Sequence, residues 1–306
     1  MTVALAIDLG GTKVEAALIG TDGTIIEGSR GRAAMGATGA STPDAAATSI
    51  ATALQPALDS PHWPDVSAAG IGSAGPLNLP LGAISPINLT GLRDFPIVDV
   101  VRAATGLDDV RLRLDGTCIA LAELWLGAAR GVRNAMVFVV STGVGGGIIS
   151  DGRVIAGATG NAGHLGQVIV DRVDGSAAAA TVEELSSGPH TVSWARSQGW
   201  AGSDGEELAA AYAAGDELAV AAVVRSATYV GTGVVNAATL LDLELAVVGG
   251  GFSLVSDDYV DLIRATVAER AVNAFARAVQ VERAALAGDA PLIGAGALVH
   301  RSELLV

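Results

Sequence analysis

Short apolar runs, each closed by glycines or a polar turn, alternate along this chain with longer stretches whose apolar residues recur at helical spacing. The first run, Ala4–Ile7, predicts a buried strand that delivers Asp8 to its end; Gly10–Gly11–Thr12–Lys13 turn the chain, and Val14–Ile19 returns to complete a hairpin. After the turn Thr21–Thr24, Ile25–Ser29 begins a third strand, and the small, aperiodic residues Ala33–Thr42 read as a loop. Ser41–Thr42–Pro43–Asp44 marks the start of a helix over Ala45–Leu58. Val66–Gly72 is another strand, Ile84–Leu89 a loop whose Asn88 offers a donor and an acceptor, and Arg111–Leu114 an alternating strand ending at Asp115. A helix is expected over Gly116–Ala129.

The strongly apolar strand Ala135–Val140 runs into Ser141–Thr142–Gly143–Val144–Gly145–Gly146–Gly147 and returns through Ile148–Ser150, so the strand–glycine turn–strand plan occurs twice. Thr181–Glu184 opens a helical segment through Trp194, and Asp204–Leu241 is largely helical. Leu245–Val248 is a strand into Gly249–Gly250–Gly251. Ser256–Asp257–Asp258 is expected to cap a helix over Tyr259–Arg277, and Pro291–Leu304 supplies the last helix.

Composition narrows this outline. With 306 residues, 50% of them apolar, the chain can build about two domains. Its 40 glycines and 4% aromatic content imply that close backbone packing replaces large side chains. One cysteine, Cys118, excludes a disulfide framework and an all-cysteine metal site. The run Ser226–Leu241 carries no charge, but its 16 residues are fewer than a membrane span needs, so a buried helix is expected and no membrane partner. The N-terminal residues show no basic region or cleavage site of a signal peptide, which points to the cytoplasm. A formal charge of −14 opposes non-specific nucleic-acid binding. An acidic protein with an anionic substrate must gather positive charge locally or borrow it from Mg²⁺.

The first glycine turn is the strongest chemical signal. Gly10 and Gly11 permit positive φ and leave no Cβ before a ligand. Thr12 adds a hydroxyl and Lys13 a cation, as suits a turn that presents N–H groups to phosphate oxygens. No helix follows, so this is not a P-loop. The second turn repeats the plan, and two such turns can grip one polyphosphate from both sides. Gly70–Ile71–Gly72–Ser73–Ala74–Gly75 matches a dinucleotide fingerprint, but Pro76 and Pro80 stand where that motif needs a helix, so the stretch reads as a backbone-lined pocket wall. Asp115, at a strand end before a helix, is either a catalytic carboxylate or a simple helix cap. His164, framed by Gly163 and Gly166, has ready access to a ligand, although an isolated histidine is more often structural. Gly251 and its neighbours could let a flat ring lie against the backbone.

The succession D-x-G-G-T-K, strand-end Asp, T-G-V-G-G-G, G-x-x-G-x-x-G and G-G-G, from Ala4 to Ala297, resembles the ROK family of sugar kinases and sugar-responsive repressors. The resemblance implies an α/β, two-lobed actin-like ATPase (ribonuclease H-like) fold with a cleft between lobes. Residues 1–113 plus 291–306 would form the small lobe and 114–290 the large one. It implies ATP and Mg²⁺ as cofactors, a sugar substrate and a homodimer. It carries the general base onto Asp115 within Leu114–Glu123, and Asp8 onto the Mg²⁺–phosphate region. Gly10, Gly11, Thr12, Lys13, Thr142 and Gly143 fall at phosphate contacts and Gly249, Gly250 and Gly251 at the nucleotide wall. Gly72, Asn88, Asp115, His164 and Glu183 fall at the sugar.

The chain also departs from the family pattern. Leu114 replaces a sugar-facing Asn, His164 a Glu, and Gln167 a metal-binding His, while Asp171–Ala180 replaces a cysteine-rich zinc segment, so no structural zinc is expected. No helix-turn-helix domain precedes the first strand, which disfavours the repressor branch. These features predict an ATP-dependent sugar kinase. A catalytically weak sugar sensor of the same fold is the alternative, and an actin-like filament protein a more distant one.

Overall fold

The structure, a computed structural model, describes residues 2–35, 42–87, 89–173 and 175–306. In chain order the strands are β1 (Val3–Leu9), β2 (Lys13–Gly20), β3 (Gly31–Ala34), β4 (Val66–Ser73), β5 (Leu77–Asn78), β6 (Ala83–Ile84), β7 (Asp109–Leu114), β8 (Ala135–Val140), β9 (Val144–Ser150), β10 (Arg153–Ile155), β11 (Leu245–Gly249) and β12 (Gln280–Arg283). The helices are α1 (Pro43–Leu58), α2 (Ile97–Thr105), α3 (Asp115–Trp125), α4 (Val182–Ser186), α5 (Gly188–Ser197), α6 (Gly205–Ala213), α7 (Glu217–Leu241), α8 (Tyr259–Arg270), α9 (Ala274–Arg277) and α10 (Ala290–His300).

Two compact units share this chain. The first comprises Met1–Arg130, Arg153–Ala162 and Gly288–Val306. Its sheet has the order β3-β2-β1-β4-β7, antiparallel through β3, β2 and β1 and parallel from β1 to β4 and β7. Every residue of β1 is buried, and full burial of each Leu or Ile there stabilises the fold by about 1.5–3 kcal/mol. α1 covers β2 and β3, while α10 packs on β1, β4 and α3. Glycines set the spacing: a Cβ on Gly294 would lie 1.8 Å from the Cys118 carbonyl oxygen, and one on Gly70 1.9 Å from that of Ala295. Gly70 of the Gly70–Gly75 stretch thus serves helix packing. α3 stays with this unit because α10 grips it, and the unit continues to Arg130.

The second unit comprises Gly131–Gly152 and Gly163–Ala287. It repeats the strand plan: β9 is antiparallel to β8, and β8, β11 and β12 run parallel in the order β9-β8-β11-β12. α7 is the one helix among the described residues long and apolar enough, by length and composition, to cross a membrane. Ala222, Val230, Val234 and Ala238 of α7 are fully buried, and the helix packs against α4, α5, α6 and α8 as the spine of this unit.

Several elements differ from expectation. Ile25–Ser29 is no strand: the Ser29 hydroxyl takes the Leu18 N–H and donates to the Ile26 carbonyl, folding the segment into a turn, and the third strand is Gly31–Ala34. Within the expected loop 33–42, residues 36–41 lie outside the described residues. The Thr42 cap is present, accepting from the Ala45 N–H at 3.3 Å. α3 stops at Trp125 because the Glu123 carboxylate turns back to take the Ala128 N–H at 2.7 Å. Asp258 makes no side-chain cap on α8 and accepts from the Tyr212 hydroxyl instead; α8 ends at Arg270, before a separate short α9. α10 ends at His300, and Ser302–Leu304 form a 3₁₀ turn.

Candidate functional site

In the first unit, strand register assembles a carboxylate corner. Asp8 lies opposite Glu15 on β2 and beside Gly72 on β4, while Ser73 pairs with Leu114, which places Asp115 at the adjoining strand end. Asp8 is only 8% exposed. Burial, with Asp115 and Glu15 adding negative charge, pushes its carboxyl up to about 7, against a lowering by Lys13. Asp115 is the first residue of α3; the cap position belongs to Leu114, and the Asp115 carboxylate accepts the Gly116 N–H at 2.7 Å. Beneath the corner Cys118 is fully buried, and desolvation first, then Asp8 and Asp115, keep its thiol protonated. Gly72 makes room for this: a Cβ there would lie 3.1 Å from Cys118 Sγ and 3.7 Å from Asp115 Cα.

The first turn closes through the Gly10 N–H to the Lys13 carbonyl at 3.0 Å, and the Thr12 carbonyl accepts from Met35. Neither Gly10 nor Gly11 adopts the positive φ that glycine permits. A Cβ on Gly10 would meet only the Lys13 oxygen, at 3.6 Å, so what this glycine supplies is open space over the backbone. Thr12 is exposed, and Lys13 Nζ sits 3.4 Å from Glu15.

The second unit holds the other turn by different means. The Ser141 carbonyl accepts the N–H of Gly188 at the start of α5, and the Ser141 N–H bonds the Gly143 carbonyl, both at 2.9 Å. The Glu183 carboxylate takes the Val144 N–H at 2.8 Å through one oxygen and the Gln167 amide at 3.2 Å through the other. A Cβ on Gly143 would come within 2.5 Å of Glu183 Oε2, which explains glycine there without any positive φ. Gly163 and Gly166, packed on Gly146 and Val144 of β9, hold the loop that carries His164. His164 is half-buried; its Nε2 is enclosed without a hydrogen-bond partner, and burial lowers its pKa more than Glu183 raises it. At neutral pH the ring is therefore uncharged, with one donor and one acceptor.

Beyond the second turn lies a cavity of about 1150 Å³. Ser141, Thr142 and Gly251 form one end, Val192, Phe252, Leu254 and Val255 give apolar walls, and Ser193, Arg196, Ser203, Asp204 and Glu206 a polar rim. Gly250, at φ +93°, folds the β11 end so tightly on Val140 that a Cβ would lie 2.4 Å from its carbonyl oxygen. The structure thus groups Asp8, Gly10, Gly11, Thr12, Lys13, Gly72 and Asp115 in one unit and Thr142, Gly143, His164, Glu183, Gly249, Gly250 and Gly251 in the other. Asn88 lies outside the described residues.

Two residues escaped the sequence reading. Asn161 clamps β5, taking the Leu77 N–H at 2.8 Å and donating to the Leu77 carbonyl at 3.0 Å. Glu15 was visible as a lone carboxylate in an apolar strand, two residues after Lys13 and hence on its face.

Residues 4–302 match the ROK family. The N-acetylmannosamine kinase of Citrobacter koseri is 34% identical over 299 residues, covering 97% of this chain and 98% of that protein. Among solved structures, a ROK family glucokinase from Streptomyces griseus in complex with glucose and AMPPNP superposes with a TM-score of 0.83 at 27% identity, over 98% of this chain and 99% of that one. The ROK hexokinase of Thermus thermophilus gives 0.79 at 29% identity, with the same coverage. The fold is that of the actin-like ATPases. From its first strand to its last helix the chain belongs to the ROK family, as an ATP-dependent carbohydrate kinase.

Proposed function

We propose that the chain transfers the γ-phosphoryl group of ATP to a hydroxyl of an N-acetylhexosamine, N-acetylmannosamine being the first to test, and that Asp115 takes the hydroxyl proton. The observation that carries this reading is the carboxylate corner. A general base must stay ionised and within reach of its proton. Asp115 accepts a backbone N–H and stands at the N-terminus of α3, whose dipole favours the carboxylate form. Asp8 suits a different task. Two acids with only Lys13 to offset Asp8 form an oxygen-donor corner that fits Mg²⁺, which takes one or two carboxylates and otherwise keeps water and phosphate ligands. Bound there, Mg²⁺ would neutralise charge on the phosphoryl oxygens.

Gly10, Gly11, Thr12, Lys13, Thr142 and Gly143 would hold the phosphates. The nucleoside would lie in the cavity that Gly251 lines, with Gly249 and Gly250 next to it in the chain. Gly72, Asn88, His164 and Glu183 would meet the sugar. An acetamido group suits His164, because it carries both a carbonyl acceptor and an N–H donor and so matches either tautomer of a neutral ring. The 34% identical N-acetylmannosamine kinase supports the same substrate class.

The loop after Gln167 needs no zinc to hold it. Val170 bonds the Ala180 carbonyl and Val182 that of Val168, both at 2.9 Å, cross-linking the segment through its backbone. A homodimer working in the cytoplasm, where ATP is held, completes the proposal. The test is ADP release from ATP and Mg²⁺ across a panel of hexoses, N-acetylhexosamines and polyols. Strong stimulation by an N-acetylhexosamine is expected. Binding of that sugar without ADP release would select the sensor, and preference for an unmodified hexose would overturn the substrate class.

A further inference from the structure

Glu15 presents a physical problem that the fold solves in an informative way. It lies directly opposite Asp8 in the β1–β2 pair, and like charges so placed are destabilising. It is also only 4% exposed, and a buried carboxylate persists only when it is paired. Three cations meet that need: Lys13 Nζ and Arg30 at 3.4 Å each, and Arg32 at 3.6 Å. Arg30 is braced in turn by Asp289 at 2.7 Å.

The three cations are not equivalent. Arg30 and Arg32 lie on or just before β3, whereas Lys13 belongs to the first glycine turn. Residues 13 and 15 share one face of β2, the face that also carries Asp8. A free lysine on a four-carbon stem samples many rotamers, a freedom that any ligand it grips must remove. Glu15 removes part of that freedom before the ligand arrives, and it keeps the ammonium close enough to Asp8 to lower the pKa of that acid.

We propose that Glu15 is a positioning residue of the phosphate site: its buried carboxylate presets the Lys13 ammonium on the Asp8 face for the terminal phosphates of MgATP. Glu15 touches no substrate and acts through Lys13. The inference rests on the kinase reading above, and it assigns a role to a residue that the sugar and nucleotide motifs leave out.

A double-mutant cycle tests it, read as MgATP affinity by calorimetry without sugar. Glu15→Gln and Lys13→Ala should each weaken binding by about tenfold, a tenfold change corresponding to about 1.4 kcal/mol. The double variant should bind no worse than Lys13→Ala alone, because two residues acting through one contact do not add. Arg32→Ala, which removes a mostly exposed cation, should leave affinity within about twofold. Sugar affinity should be the same in all variants, a constancy that general loosening of β2 would not give.

If Glu15→Gln does not fold, Glu15→Asp keeps the charge on a shorter stem. It should weaken MgATP severalfold in the wild-type background and not at all beside Lys13→Ala. Additive effects in either cycle, or wild-type affinity in both Glu15 variants, would overturn the proposal while leaving the kinase reading intact. A wild-type chain that binds no MgATP would overturn that reading first, and this inference with it.

Discussion

The two glycine turns share a strand–turn–strand plan and differ in how they carry charge. Around the first, Asp8, Glu15 and Asp115 crowd one corner with Lys13, so the turn is built of side-chain charges in partial balance. The second has no charged residue between Ser141 and Gly147, and its acid, Glu183, arrives from α4 to grip the Val144 N–H. In the first turn an acid anchors a lysine; in the second an acid anchors the backbone. Repetition of a fold element therefore did not repeat its chemistry. A chain with net charge −14 gathers charged side chains at one turn and gives the other neutral N–H groups beside a partly apolar cavity.

The largest expected effect tests whether proton transfer belongs to the charged corner alone. Asp115→Asn keeps the shape and removes the basicity, and kcat should fall by at least ~10²–10⁴ with nucleotide affinity unchanged. Thr142→Val, the matching polar loss in the neutral turn, should cost no more than about tenfold in kcat/KM. Equal losses, measured by steady-state kinetics, would erase the distinction.

Next in size is Gly143→Ala. Its Cβ would lie 2.5 Å from Glu183 Oε2 and drive the carboxylate off the Val144 N–H. KM for ATP should rise by about tenfold, and stability should fall by about 1–3 kcal/mol as a hydrogen bond is left unmade. At Gly145 a Cβ meets nothing within 4 Å, so Gly145→Ala should change stability by no more than about 0.5 kcal/mol. Indistinguishable melting curves for the two variants would show that Glu183 does not hold this turn.

The charged turn was far more legible in the sequence than the neutral one. Asp8, Lys13 and the strand-end Asp115 are local signals, because period-2 alternation and a strand–helix junction fix where such side chains stand. For Gly10 and Gly11 the sequence offered two reasons, positive φ and the absence of a Cβ before a ligand; neither takes positive φ, and a Cβ on Gly10 would meet only the Lys13 oxygen. Close approach by an atom distant in sequence, such as Glu183 to Gly143, leaves no local trace. Helix ends were misread for the same reason. Asp258 has the composition of a cap, but tertiary structure offers it the Tyr212 hydroxyl; Glu123 ends α3 by a hydrogen bond to a residue five positions on. The main strands and both glycine turns emerged from the pattern, whereas strand order and the couplings of Glu15 and Asn161 required the register.

His164 sharpens the comparison from the neutral side. It is a polar side chain near the second turn whose enclosed Nε2 lacks a partner, and burial keeps the ring uncharged. His164→Glu replaces a donor–acceptor pair with two acceptors, which suit adjacent hydroxyls better than an acetamido group. The ratio of kcat/KM for N-acetylmannosamine to that for glucose should fall by about tenfold, the scale of one buried hydrogen bond gained and one lost. An unchanged ratio would place His164 outside substrate recognition.

The smallest effect, a few degrees of melting temperature, asks whether the first corner stores electrostatic strain that the second turn lacks. In the ligand-free fold the Asp8 carboxyl is pushed from 3.8 up to about 7, first by burial and then by Asp115 and Glu15. Between those values the native state binds more protons than the unfolded chain, so stability falls as pH rises. The contribution is complete below about pH 4 and lost above about pH 7. Each pKa unit is worth about 1.4 kcal/mol, and the part of the shift that lies between pH 5 and pH 7 is expected in melting. Wild-type protein should therefore lose several degrees more than Asp8→Asn between pH 5 and pH 8, about 2–4 °C for each kcal/mol. Added Mg²⁺ should restore the wild type at pH 8 and leave the variant unmoved. Parallel melting profiles for the two proteins across that range would show that Asp8 carries no raised pKa, and the contrast between the turns would then rest on geometry alone.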